Sequence, residues 1–180
     1  MKDIYVDFGL ATGIKGESRD TGENSAAAVS HVGWVEVSTF NHIIKQPRSA
    51  TASSSGGHTS ERVEFGDLVF TKDIDSATPM LMHAACAAVV IPTVKVQFYR
   101  AYGGTAVGSN QKRVDYYTLD LKNVVVSSVA TSMSPEGLPV ETFTLKPSAM
   151  KWTYKPQAID GTPGAAIPKS WNLATNSHTF

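Results

Sequence analysis

Apolar and polar residues alternate with a period of two along several segments, the pattern of a strand with one buried face. Ile4, Val6 and Phe8 share one face of the first segment, and Val94, Val96 and Phe98 share a face opposite Lys95, Gln97 and Tyr99. The same alternation groups Tyr117, Leu119 and Leu121, and sets Met150, Trp152 and Tyr154 opposite Lys151, Thr153 and Lys155. Val35 and Val37, alternating with Trp34 and Glu36, predict a further strand, while Val124-Val125-Val126 reads as a strand covered on both faces. Between Val63 and Phe70 the phase slips: Val63 agrees with Phe65, and Leu68 with Phe70, one residue out. A bulge at Gly66-Asp67 accounts for that slip within one strand.

One segment reads as helix. Thr78 serves as its cap, Pro79 suits its first position, and Asp73 and Asp75 lie just upstream, where negative charge is favoured. Leu81, Ala84, Ala85 and Ala88 follow at helical spacing, and Pro92 ends the run. Two stretches are poor in large apolar groups and are expected at the surface: Arg48-Ser49-Ala50-Thr51-Ala52-Ser53-Ser54-Ser55-Gly56-Gly57-His58-Thr59, and Thr21 to Ser30, whose alanines allow a short helical turn. About eight strands and one helix around a single core predict a mainly β domain spanning 1–180, a β-barrel or sandwich with the helix over an open end or edge.

Composition narrows the function classes. Lys plus Arg equals Asp plus Glu at 16 each, which argues against a dedicated nucleic-acid binder, since such a protein carries a basic excess for phosphate. The longest apolar run, Ala84 to Pro92, is far short of the roughly 20 residues of a membrane helix, so no membrane insertion is expected. Met1-Lys2-Asp3-Ile4-Tyr5-Val6-Asp7 carries two acids and strand-like alternation where a secretory signal has a basic patch and an apolar run. A single cysteine, Cys86, excludes an internal disulfide and a thiolate metal cluster; among helix alanines it reads as a small buried residue.

No catalytic constellation emerges from the spacing. His31, His42, His58, His83 and His178 form no zinc-binding pattern, and His58 and His178 read as solvated. A nucleophile elbow of the form G-x-S-x-G is absent, as is the parallel sheet it needs. Gly13-Ile14-Lys15-Gly16-Glu17-Ser18 copies part of a phosphate loop without its full spacing or its following helix. Asp73 and Asp75 fit a helix dipole more simply than a metal pair. Neither an enzyme nor a cofactor is therefore expected. Two other readings stay open at this point: a carbohydrate-binding barrel using aromatic residues such as Tyr99 and Tyr102, and a hydrolase with an unrecognised triad.

Several motifs together resemble one family. They are Lys15-Gly16-Glu17-Ser18, Gly33-Trp34-Val35-Glu36-Val37, Phe70-Thr71-Lys72-Asp73-Ile74-Asp75, Thr78-Pro79, Val124-Val125-Val126-Ser127-Ser128-Val129, Trp152-Thr153-Tyr154 and Trp171-Asn172. In this order, over nearly the whole chain, they resemble the haemolysin-coregulated protein (Hcp) family, the tube protein of bacterial type VI secretion systems.

That resemblance implies a β-barrel of two sheets with one flanking α-helix, and a hexameric ring whose copies stack into a tube. It implies assembly in the bacterial cytoplasm inside a contractile sheath, a valine-glycine repeat spike protein at the tip, and small effector proteins as cargo. Export then needs no signal peptide and delivers the protein to the extracellular space or a target cell. Some relatives carry a toxin domain after the tube module; none is expected here. By resemblance, Asn41 faces the channel as a cargo contact, and the loop from Arg48 to Thr59 reaches toward the adjoining ring. The stretch from Thr21 to His31 is longer than in most relatives.

Overall fold

The computed structural model describes residues 4–9, 12–23, 29–47, 61–101, 113–158 and 164–180. Along the chain run β1 (Ile4–Asp7), β2 (Val35–Val37), β3 (Thr39–Asn41), β4 (Ile44–Lys45), β5 (Glu64–Phe65) and β6 (Leu68–Asp73). Then come α1 (Thr78–Cys86), β7 (Val90–Ala101), β8 (Arg113–Met133), β9 (Pro139–Lys146), β10 (Ala149–Tyr154) and β11 (Ile167–Asn172). Eleven strands thus stand among the described residues where about eight were expected. β9 and β11 are the main additions.

Nine strands form one antiparallel sheet in the order β2-β1-β7-β8-β9-β6-β3, with β10 added to β8 and β11 to β10; β4 and β5 form a separate pair. β8 organises the whole. Its first half pairs with β7 on one side and β10 on the other, whereas beyond Val125 it pairs with β9 alone. The two ends of the sheet, β2 and β3, are separated only by Ser38, whose N–H already donates to Thr71 O on β6 at 2.7 Å. The sheet therefore wraps until its ends meet at one residue, but among the described residues its ladder does not close.

The core lies inside this wrap. Phe70 stacks on Phe143 with ring centroids 5.1 Å apart, Phe8 meets Phe143, and Phe40 bridges Phe70 to Phe98. Each fully buried ring contributes about 1.5–3 kcal/mol, so these contacts tie the β6–β9 and β1–β7 regions into one unit. The core faces read for β1, β7 and β8 are buried through Val6, Val96 and Leu119, but Tyr5, Gln97 and Tyr99 on the opposite face of β1 and β7 are buried as well.

Several local expectations change. The phase slip at Gly66-Asp67 is a break between β5 and β6, not a bulge in one strand: Gly66 N–H donates to Ile43 O, and β5 leaves to pair with β4. The helix cap is Ala77, not Thr78, and no side chain caps it. Thr78 Oγ1 is engaged elsewhere, accepting from Lys72 Nζ and Asp75 N–H. The helix also ends earlier than expected, with Ala88 in the left-handed region at φ 50° and Pro92 inside β7. Cys86, at its last turn, is exposed rather than buried. Val125 is half-buried between the buried Val124 and Val126.

Candidate assembly face

Register decides which side chains share a face with Asn41, because directly opposed residues of antiparallel strands point the same way. Asn41 stands opposite Val69, Val69 opposite Thr144, and Thr144 opposite Ser128. The adjacent outward row is Thr39, Thr71, Thr142 and Ala130. Between the two runs Phe40, Phe70, Phe143 and Val129, which pack into the core. These two outward rows of β3, β6, β9 and distal β8 are thus made of hydroxyls, one amide and small apolar groups, with no charge in either; the same face carries the exposed Asp73 toward one end and Lys146 toward the other.

These hydroxyls bond to one another. Thr71 and Thr142 meet at 3.3 Å, Ser128 and Thr144 at 2.7 Å. Ser127 sits at the register shift in β8, bonds Thr144 at 2.7 Å and donates to Asp67 Oδ2 at 2.6 Å. The side chains are held by neighbours on their own face, which fixes a smooth polar surface.

This four-strand unit has two open sides. β3 pairs only with β6, and β8 beyond Val125 has no strand partner on the side that β7 occupies earlier, among the described residues. Unpaired strand edges carry free N–H and C=O groups and invite pairing with another chain.

On the other half of the sheet the outward row is charged. Asp7 stands opposite Lys95, Lys95 opposite Asp120, and Asp120 opposite Lys151. Lys95 Nζ lies 3.8 Å from Asp120 Oδ1, and this row walls a cavity of about 490 Å³ that Phe180 also lines. Lys122 Nζ sits 4.5 Å from the Phe180 ring centroid.

Two buried polar groups brace these faces. His31, fully buried, bonds Asp20 through Nδ1 at 2.8 Å and meets Gln97 and Tyr99 at Nε2, each at 3.0 Å. Arg113 pairs with the same Asp20 oxygen and donates to the Tyr5 hydroxyl at 2.6 Å. Burial works to raise the Asp20 pKa, but the Gly22 N–H, His31 and Arg113 outweigh it and hold the carboxyl below its ordinary value. Burial pushes the Tyr5 hydroxyl up against the opposing pull of Arg113. An imidazole, a carboxylate and two phenols converge here, yet His31 has no access to solvent, so the cluster pins Asp20 and His31 onto β1 and β7.

The second group is ionic. Lys72 and Glu141, both 0% exposed, face each other across β6 and β9, with Nζ 3.4 Å from Oε1. Lys72 Nζ also donates to Asp75 Oδ1 at 2.6 Å and to Thr78 Oγ1 at 3.1 Å. Asp75 therefore anchors a buried lysine and accepts the Ala77 N–H, a different role from the expected helix-dipole partner.

Asn41 is exposed at the end of β3. Residues 48–59, Tyr102 and His58 lie outside the described residues. Tyr99, expected as an exposed aromatic, is 4% exposed and packs edge-on against His31 at 5.0 Å, so it offers no sugar platform. The hydroxyls beside Asn41 went unread in the sequence, although Thr142-Phe143-Thr144-Leu145 alternates as a strand should.

The model of the family described as type VI secretion system effector, Hcp, matches residues 8–154. The chain belongs to the Hcp family. Protein hcp1 of Pseudomonas aeruginosa is 35% identical over 117 residues, 64% of this chain and 68% of that protein. The major exported protein of the same organism is 31% identical over 103 residues, 57% of this chain and 54% of that one. Among solved structures, one described as a type six secretion system protein superposes with a TM-score of 0.79 at 24% identity, covering 98% of this chain and 99% of that one. Hcp1 from Salmonella typhimurium follows with 0.71 at 23% identity, covering 98% of each chain. These structures share the Hcp fold, mainly β with a large antiparallel sheet.

The motifs that carried the family resemblance now have physical roles. In this Hcp chain the Gly-Glu-Ser segment is strapped along Gly33-Trp34, with Gly16 N–H donating to Gly33 O and Gly33 N–H to Ser18 O. A Cβ at Gly16 would lie 2.3 Å from Trp34 O, so only glycine fits. The phosphate-loop likeness is thus a strap between two chain segments.

Proposed function

We propose that this type VI secretion protein is the structural, non-catalytic subunit of a secretion tube: a hexameric ring, stacked on copies of itself, with the Asn41 face lining the channel. The observation that carries this reading is the four-strand unit with two uncharged central rows on its outer face and an open edge on each side. Its strands alternate in direction, and four is an even number. A neighbour rotated about the ring axis therefore brings its β3 alongside distal β8 antiparallel, and the ladder continues from copy to copy. Such contacts are heterologous, and they close when the rotation divides a full turn. The wrapped nine-strand sheet then belongs to the subunit, and a closed barrel to the ring.

Strand spacing of about 4.8 Å and a barrel tilt of about 40° make six such units a wall roughly 45 Å across between backbones. That space admits a small folded protein, since a 100-residue domain has a radius of gyration of about 13 Å. Hydroxyls and the Asn41 amide hold such cargo without placing a charge that must be desolvated. Outside the ring, the contractile sheath and the valine-glycine repeat spike are the partners this reading expects, with assembly in the cytoplasm and export by contraction.

Hydrogen exchange tests the edge pairing. In assembled protein the amides of 39–41 and 126–133 exchange slowly, and dilution to the monomer exposes them. Rings seen by negative-stain microscopy without protection at these edges would move the ring contact elsewhere.

A further inference from the structure

The two ends of the four-strand unit project different hairpins. At the Asp73 end, β8 and β9 run on to a turn at Ser134–Leu138, presenting Met133 (66% exposed) and Leu138 (58%) beside the exposed Ile74. At the Asn41 end, β4 follows β3 and β5 precedes β6 as a separate pair that presents Ile44 (47%), with Ile43 (50%) just before it. Large apolar groups held at a turn and at a two-residue strand contribute nothing to the core of their own chain.

Charge separates the same two ends. Glu17, Glu36, Asp73 and Asp75 line a groove of about 280 Å³ around Ile74, and Glu136 sits on the adjoining turn. The opposite end carries Lys45, Arg62 and Lys146, with Glu61, Glu64 and Asp67 among them, so it lacks that acidic excess. A copy placed so that its β4–β5 pair meets the β8–β9 turn would set Lys45 toward the acidic groove.

We propose that the ring-to-ring contact is made by these two ends: Ile43 and Ile44 of one copy pack on Ile74, Met133 and Leu138 of a copy in the next ring, with Lys45 facing Asp73. The proposal rests on the stacked-ring reading above and names its axial contact. The partner is a second copy of this chain because apolar and charged features complement each other at opposite ends of one sheet, a head-to-tail relation. Copies related this way stack without a terminus.

Disulfide trapping tests it. In a Cys86→Ser background, Ile44→Cys and Met133→Cys are introduced together and singly, and rings are oxidised at high protein concentration. The contact predicts covalent species larger than six subunits for the double variant only, and their loss when Leu138→Asp is added. Asp73→Lys and Lys45→Asp should each reduce this trapping and together restore it. Rings of the double variant that cross-link no further than the single variants overturn the axial contact while leaving the ring intact. A wild-type chain that stays monomeric overturns the ring itself, and the contact with it.

Discussion

The two outer faces of the sheet share one core but differ in what they put toward solvent. On β1, β7, β8 and β10 the row Asp7, Lys95, Asp120, Lys151 alternates in sign, so every charge has an opposite neighbour within its own chain. On β3, β6, β9 and distal β8 the rows through Asn41 and Thr39 carry no charge, and their hydroxyls satisfy one another. The charged face is self-compensated, with β1 beyond β7 and β11 beyond β10; β11 in turn has no further strand among the described residues. The neutral face ends in two open edges. A surface that repeats around a channel multiplies any single charge by the number of copies, so neutrality there has a collective physical reason that a monomer would not need.

The largest expected effect comes from the ion pair beneath the neutral face. Lys72→Met leaves Glu141 buried without its cation and should destabilise the chain by about 3–5 kcal/mol in denaturant unfolding. An unchanged midpoint would mean that water reaches Glu141. Next is the clamp beside the charged face. Asp20→Ala removes the acceptor shared by Arg113 and His31, a loss of about 1.5–3 kcal/mol, and should raise proteolysis next to His31.

Alternation made β1, β7, β10 and the Tyr117–Leu121 stretch of β8 legible, because each presents one apolar face; farther along β8 the buried phase changes between Leu121 and Val124, at Asn123 with φ 47°. It failed where a strand mixes its faces. Lys72 and Glu141 lie in phase with Phe70 and Phe143, so each interrupts the apolar run with a charge that only its partner across the ladder explains. A charged residue at a core phase in two separate strands was the available signal. Tyr99 followed the same logic in reverse: its face looked polar, yet His31 packs over it and bonds its hydroxyl. The slip at Gly66 was read correctly as an irregularity but assigned to a bulge, because nothing local says that β5 changes partner. Asn41 was placed by resemblance. The hydroxyl rows around it depend on register across four strands, which no single segment encodes.

Smaller effects sharpen the contrast between the faces. Lys95→Ala removes one charge from the compensated row, is expected to cost less than about 1 kcal/mol, and should leave assembly unchanged. Thr142→Lys, placed on the neutral face, should likewise change monomer stability by less than about 0.5 kcal/mol, yet weaken cargo retention because the charge recurs in every copy. Equal cargo retention by both variants would erase the functional distinction.

The smallest effect concerns pH. Burial holds the His42 imidazole below its usual pKa, opposed by its bond to the Gly66 backbone. A depressed folded pKa means that the unfolded chain takes up the proton first. The stability tied to neutral His42 is therefore full above about pH 6.5 and lost as pH falls through its folded value. His42→Phe should flatten the melting midpoint between pH 7 and 5, and an unaltered slope would place the titration on another group.

Native mass spectrometry of the isolated chain at micromolar concentration and modest salt tests the central claim most directly. Assembly through the open edges predicts a dominant species near six times the 19.3 kDa subunit. A monomer across the whole concentration series would contradict it.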